Sequence, residues 1–151
     1  MAKFAADFQR TAGAAVSLGS IGAVSTTQAR RGKIYDILFG SEAVPADAGL
    51  LWQFNRYTAA GTSTAVTPQA LDPADAAFLG QAGENHTVEP TYTANAILLN
   101  VPLNQRATFR WVAAPGGELV YPATTANGIG VRTPTISSGT PVITCQTHVE
   151  E

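Results

Sequence analysis

The sequence predicts an all-β protein: an antiparallel β-sandwich or jelly-roll-like barrel of about eight strands, with one short helix and an N-terminal arm. Three observations predict it. Segments of strand length alternate apolar and polar side chains, turn residues separate them at intervals of roughly 8 to 15 residues, and threonine is abundant. The 151 residues suffice for one core, so we expect a single β-domain at 30–151, preceded by an arm or first strand at 1–29.

The N-terminal segment is expected to be an arm. Phe4 and Phe8 cluster at helical spacing within residues 1 to about 14, and the Gly and Ser residues of AGAAVSLGSIG then discourage continuation of a helix. Two aromatic side chains with few apolar neighbours need a surface to cover them, either the same domain or another subunit. Both are therefore candidate partner-binding residues. Asp7 and Arg10 interrupt the apolar run that a signal peptide would need, so we expect the segment in the mature protein.

The strands of the predicted domain follow in order. The first, RRGKIYDILFG at 30–40, is apolar on both faces, which indicates a central strand. The next, LLWQFNRY, places Leu50, Trp52 and Phe54 on one face. AAGTSTAVTP is short and rich in threonine, as expected of an edge strand or hairpin arm. The remaining strands are predicted in HTVEP, TYTANAILLNVPLN, RATFRWVAAPGGELVYP, ANGIGVRTP and TPVITCQTHV.

One internal helix is predicted in ALDPADAAFLGQAG, residues 70–83. Asp72 can cap it, and Pro73 suits its first turn. Asp75 opposes the positive end of the helix dipole, and Gly80 supplies a stop.

The segment RATFRWVAAPGGELVYP brings basic and aromatic residues together. Alternation places Phe109 and Trp111 on the face expected to build the core, and Arg106 and Arg110 on the opposite face. Two interpretations of the arginines remain open. They form exposed cross-strand ion pairs, or they contact an acidic neighbour, since arginine is enriched at protein interfaces.

Residues suited to catalysis are few. His86 lies beside Glu84 and Glu89 and could form a carboxylate–imidazole pair, but solvated loop charges are the simpler interpretation. His148 is expected to be solvated on the polar face of a terminal strand. The single cysteine, Cys145, is expected to be a buried structural thiol. The sequence predicts no catalytic residue, no cofactor and no metal site, because the spacings that such sites require are missing.

Charge limits the classes of partner. Charged residues make up 13% of the chain, and the net charge is −2, so no basic field would drive nonspecific nucleic-acid binding. No run approaches the roughly 20 apolar residues that cross a bilayer. We therefore expect neither nucleic acid nor membrane as a partner. A weakly charged surface suits a protein packed against neighbours, although a polar uncharged β-surface would look similar.

The segment from RRGKIYDILFG to LDPADA, together with QRATFRWVAAPGGELVYPATTANGIG, resembles small structural proteins of tailed bacteriophages. The resemblance covers about residues 30 to 150, and RWVAAPGGEL is its most specific part. It implies a non-enzymatic virion component, foremost a capsid decoration or cement protein that binds the outer shell at symmetry axes, often as a homotrimer. The implied partner is the major capsid protein. The implied location is the capsid surface, with the host cytoplasm during assembly.

Two other functions remain open at this stage. The first is a tail-associated or host-adhesion module that binds carbohydrate, with Trp52, Tyr57 and Tyr121 as the candidate exposed aromatic side chains. The second is a hydrolase of cell wall or polysaccharide, for which Glu84 and His86 would be the reacting groups.

Overall fold

The computed structural model describes residues 1–23 and 29–151, and within them the chain forms twelve β-strands. In chain order they are β1 (Lys3–Thr11), β2 (Val16–Gly22), β3 (Gly32–Ala43), β4 (Gly49–Ala59), β5 (Thr62–Val66), β6 (Gln69–Ala70), β7 (Gln81–Val88), β8 (Thr91–Asn104), β9 (Thr108–Val112), β10 (Leu119–Tyr121), β11 (Gly128–Thr133) and β12 (Val142–Glu150). The all-β prediction is confirmed.

The strands form two antiparallel six-stranded sheets. Sheet I has the order β6-β1-β12-β3, and both β9 and β10 pair with the far edge of β3. Sheet II has the order β5-β7-β2-β11-β4-β8. Each sheet keeps its own edges, so the sandwich alternative is confirmed and the closed barrel is not. The central position predicted for the strand at 30–40 is also correct, since β3 has neighbours on both sides.

Four strand pairs are nested in the sequence. β1 pairs with β12 and β2 with β11, while inside them β3 pairs with β9 and β4 with β8. The members of successive pairs alternate between the two sheets. β5, β6 and β7 lie between β4 and β8 in the chain and extend both sheets along one side. β5 and β7 correspond to predicted strands, whereas β6, β1, β2 and the division of residues 106–122 into β9 and β10 raise the count from the predicted eight to twelve.

Aromatic side chains from both sheets meet in the core. The ring of Phe39 in sheet I lies 4.7 Å from Trp52 and 5.6 Å from Phe54 in sheet II, measured between ring centroids. Phe109 approaches the same ring to 5.4 Å. Burial of each such side chain stabilises the fold by roughly 1.5–3 kcal/mol. The predicted inward faces of LLWQFNRY and RATFRWV are therefore confirmed.

Of the two alternatives for residues 1–29, an arm or a first strand, the arm is wrong and the strand is correct, because β1 lies inside sheet I. β1 pairs with β12 along its whole length, and Phe4 and Phe8 are 1% and 0% exposed in the core. The spacing of the two rings misled the interpretation, because residues four apart share a face in a strand as well as in a helix. The strands before residue 30 therefore belong to the same domain as those after it. Residues 24–28 lie outside the part of the chain that the structure describes.

The helix expected at 70–83 does not form, and the described residues contain no helix. Asp72 closes a single turn instead: its Oδ1 accepts the N–H of Ala74 at 2.9 Å, and its carbonyl accepts the N–H of Asp75 at 3.0 Å. Residues 76–79 beyond the turn have no regular structure, and Phe78 packs edge-on against Phe4 at 5.1 Å between ring centroids. Such packing outweighs the helix propensity of a short segment. Accordingly, no described helix has the length and apolar character needed to span a membrane.

β8 is one of the two edge strands of sheet II, and Pro102 helps to protect that edge. The N–H of Leu51 donates to the carbonyl of Thr135 at 3.2 Å, away from β8. Since Leu51 is the register partner of Pro102, the backbone of Pro102 faces the open edge. Proline has no N–H to offer there, so at this position the edge lacks a donor for an added strand.

Candidate interaction face

The outer surface of sheet I presents a regular grid of side chains. The strand register aligns alternate residues of β1, β12, β3 and β9 in three rows of four. The rows are Ala5, His148, Asp36 and Val112; then Asp7, Gln146, Leu38 and Arg110; then Gln9, Thr144, Gly40 and Thr108. We call these twelve residues the sheet I face.

A β-bulge places Asp36 on this face. Simple alternation along β3 would put Asp36 on the same side as Ile34, yet Ile34 and Ile37 are both fully buried in the core. The pairing with β12 shifts register at this point, where His148 opposes Asp36 and Val149 opposes Ile34. The extra residue turns the carboxylate outward and keeps both isoleucines inside.

Asp36 joins β9 and β12 through its carboxylate. Arg110 donates to it twice, from Nε to Oδ1 at 3.0 Å and from Nη2 to Oδ2 at 2.7 Å, and Nδ1 of His148 lies 3.1 Å from Oδ2. The hydrogen bonds from Arg110 are the main reason that the pKa of Asp36 is lowered, and His148 adds to the effect against the opposing influence of burial. The ionised carboxylate holds the planar guanidinium in one orientation and leaves Nη1 for another acceptor.

Apolar side chains and shallow hollows surround this cluster. Leu38 is 42% exposed and Val112 is 58% exposed. A cavity of about 260 Å³ lies between Leu38, the Asp36 cluster and Gln146. A second hollow of about 320 Å³ adjoins it on the side of Gly40, where the side chains are short. An exposed arginine fixed in place, with apolar neighbours and depressions beside it, is suited to binding another protein.

The opposite end of the face is acidic. Asp7 lies near Glu42 and Glu84, and burial first, then these two carboxylates, raise its pKa. Gln9 binds both neighbours: its side-chain amide donates to Glu42, and its backbone N–H donates to Oε2 of Glu84 at 2.8 Å. The face therefore carries negative charge along β1 and a guanidinium along β9.

The four predicted partner-binding residues fall in different places. Arg110 belongs to the sheet I face, with its side chain 63% exposed. Arg106 is exposed in the turn before β9, where its backbone N–H donates to Oδ1 of Asn104 at 2.9 Å. Phe4 and Phe8 lie on the core side of sheet I, so neither presents surface to a partner. Of the four, Arg110 alone belongs to the face.

Both histidines differ from expectation. His148 is not simply solvated, because it contacts Asp36. His86 lies in β7 rather than in a loop and is 3% exposed, with Nε2 at 3.0 Å from Oγ of Ser20. Burial is the main cause of its lowered pKa. Glu84, the expected partner of His86, instead accepts the backbone N–H of Gln9.

The aromatic side chains considered for carbohydrate binding are in the core. Trp52, Tyr57 and Tyr121 are 1%, 2% and 0% exposed, so they cannot form the expected exposed platform. The burial predicted for Cys145 is confirmed, and burial raises the pKa of its thiol.

Within residues 1–23 and 29–151, no three side chains of His, Cys, Asp or Glu are grouped so that they could hold a metal ion. Comparisons of the chain with protein-family models, with curated proteins and with solved structures found no match.

Proposed function

We propose that this chain is a non-enzymatic structural protein of a bacteriophage particle, foremost a cement or decoration protein that binds the major capsid protein on the outer shell. Its sheet I face would contact neighbouring subunits of the particle. Its place would be the capsid surface, with the host cytoplasm as the site of assembly.

The strand order supports this proposal. The nested pairing of β1 to β4 with β12, β11, β9 and β8 is that of a jelly roll, a double-sheet architecture that occurs in viral capsid and lectin domains. Fold alone does not define function, since one architecture serves many roles. The jelly roll supports a capsid role only in combination with the resemblance of the segment that contains RWVAAPGGEL. The remaining support must come from the surface of the protein.

The sheet I face is the observation that carries the proposal. It combines an arginine held by a nearly buried carboxylate with two exposed aliphatic side chains, Leu38 and Val112. Because Asp36 already fixes Arg110, little side-chain entropy remains to be lost when a partner binds. Repetition of such a modest contact over a symmetric shell produces high avidity.

Imaging tests the proposal directly. Purified protein is mixed with particles that lack it, and the particles are examined by electron cryomicroscopy. We expect ordered density on the outer shell at symmetry-related positions. Particles that remain bare at saturating protein concentrations would reject the assignment.

A matched pair of variants tests the role of the face. Leu38 and Ile97 are aliphatic strand residues with 42% and 43% exposure, but Leu38 lies on the sheet I face and Ile97 lies on β8. We expect Leu38→Arg to reduce particle binding and Ile97→Arg to leave it unchanged, with similar thermal stability for both proteins. Equal binding by the two variants would exclude the sheet I face as the contact surface.

A further inference from the structure

We infer that the sheet I face is self-complementary, and that it packs against the same face of a second copy about a two-fold axis parallel to the strands. The inference rests on the proposed function only in taking this face as the surface that contacts a neighbouring subunit of the particle. That subunit is then a second copy of this chain, and the major capsid protein contacts another part of the surface. It replaces the trimer implied by the resemblance with a contact between two copies. The contact is isologous, so every pair of facing residues occurs twice in the dimer.

The charges at the two ends of the middle row select the axis. A two-fold axis along the strands, between β12 and β3, brings β1 of one copy over β9 of the other. Asp7 then faces Arg110 of the second copy, and the contact occurs twice. An in-plane axis perpendicular to the strands would instead place Arg110 over Arg110 and Asp7 over Asp7, which is repulsive.

The flanking rows fit the same axis. In one, Ala5 faces Val112 of the second copy, and His148 faces Asp36. The other row consists of Gln9, Thr144, Gly40 and Thr108, whose short or polar side chains face one another without bringing like charges together. Stacked sheets pack about 10 Å apart with nearly aligned strands, so such a contact is geometrically ordinary.

Asp7 and Arg110 cannot satisfy each other within one chain. Three strand spacings of about 4.8 Å separate them, which amounts to roughly 14 Å. The hydrogen bonds described for Glu42 and Glu84, the acidic neighbours of Asp7, come from Gln9, a neutral residue. In the described part of the chain, no ion pair involves Asp7. A guanidinium from the second copy would supply the missing cation, and Arg110 can keep Asp36 while its Nη1 makes this contact.

The size of the face indicates a weak dimer. Nine residues each of β1, β12 and β3 and the five residues of β9, at about 4.8 Å between strands and about 3.4 Å per residue, cover roughly 500 Å² per copy. The total of roughly 1,000 Å² is at the lower limit for a specific interface. We therefore expect self-association in the micromolar range, strengthened where a particle holds copies close together.

A charge-exchange experiment tests the pairing. Asp7→Arg alone places a second guanidinium against Arg110 at both contacts, and Arg110→Asp alone places a second carboxylate against Asp7 at both contacts. Each single variant is expected to self-associate about tenfold more weakly than wild type in analytical ultracentrifugation. Their equimolar mixture restores attraction at both contacts and should associate as the wild type does. Arg106→Asp changes the same charge outside the face and should leave association unchanged.

Cross-linking tests the geometry without inverting a charge, in case Arg110→Asp disturbs the fold beside Asp36. Ala5→Cys and Val112→Cys chains are mixed and treated with a short bismaleimide, to which fully buried Cys145 is inaccessible. We expect covalent dimers in the mixture and few with Ala5→Cys alone. Equally efficient cross-linking of Ala5→Cys to Ile97→Cys would contradict the proposed face.

Several outcomes overturn the inference. They are a wild-type monomer at all concentrations up to millimolar, a stable trimer, and a variant mixture that associates no better than its components. If particles bind a strictly monomeric protein, this inference fails and the proposed function stands. If the protein dimerises as described but never binds particles, the proposed function fails instead.

Discussion

The contact between Phe8 and Gly19 provides the sharpest test of the role of β1. Gly19 of β2 lies directly against the ring of Phe8: a Cβ atom at Gly19 would overlap Cγ of the ring and lie 2.6 Å from Cδ1 and Cδ2. The ring, which is 0% exposed, therefore occupies the place of a side chain on the facing sheet. Phe8→Ala should open a cavity between the sheets, and Gly19→Ala should overfill the same space.

The magnitudes follow from core substitutions of this kind. We expect Phe8→Ala to lower the free energy of unfolding by about 3–5 kcal/mol. Gly19→Ala should lower it by about 1–3 kcal/mol in the wild-type background. In the double variant the new methyl group enters the vacated space, so the combined loss should be smaller than the sum by about 1–3 kcal/mol.

Urea unfolding monitored by tryptophan fluorescence and circular dichroism measures these differences. Thr11→Ala, at an exposed position on the same strand, is the control and should change stability by less than about 0.5 kcal/mol. Phe8→Leu retains part of the packing and serves if Phe8→Ala does not fold. Additive effects of Phe8→Ala and Gly19→Ala, or a loss below about 1 kcal/mol for Phe8→Ala, would refute the packing described.

Three further predictions concern pH and backbone conformation. Burial lowers the folded-state pKa of His86, so below pH 6.5 the unfolded chain binds a proton that the folded chain does not. The free energy of unfolding should therefore fall by up to about 1.4 kcal/mol per pH unit below pH 6.5. His86→Gln should flatten this slope, and an unchanged slope would contradict the burial of a neutral His86. The pKa of Asp36 is lowered from 3.8, so its ionised form stabilises the fold above that pH. Asp36→Asn should therefore lower the urea midpoint of unfolding at neutral pH. The difference in midpoint between wild type and variant should vanish below the folded-state pKa of Asp36. Gly61 and Gly116 both have positive φ, at 73° and 81°. At Gly61 a Cβ atom would overlap the carbonyl oxygen of Val88, whereas at Gly116 it would meet nothing within 4 Å. Gly116→Ala should therefore cost about 1 kcal/mol and Gly61→Ala clearly more, and equal losses in thermal unfolding would argue against the turn geometry.

Alternation predicted the strands where one face is clearly apolar. Leu50, Trp52 and Phe54 face the core as their spacing indicates, and Phe109 and Trp111 pack against it. The spacing of Phe4 and Phe8 has no such power, because four residues is a full number of strand repeats and nearly one helical turn. Only the pairing with β12 resolves that ambiguity.

The sheet I face depends on contacts that no local pattern contains. Its middle row joins Asp7 to Gln146, Leu38 and Arg110, which come from four separate parts of the chain. Arg110 could be identified as a candidate partner-binding residue from its residue type and from the strand face on which alternation places it. Asp36 and His148 could not be paired with it, because the bulge in β3 and the order of the strands decide which side chains become neighbours.

The ladder between β1 and β12 also determines when the protein can fold during synthesis. β1 precedes every other strand, yet it remains without its full-length neighbour until the ribosome has produced β12; before then β6 can pair with it only at Phe4 and Ala5. Contacts between such distant segments make folding slow, on the scale of milliseconds to seconds. Nascent chains therefore leave Phe4 and Phe8 exposed until β12 has been made, and at high expression they would depend on chaperones to avoid aggregation.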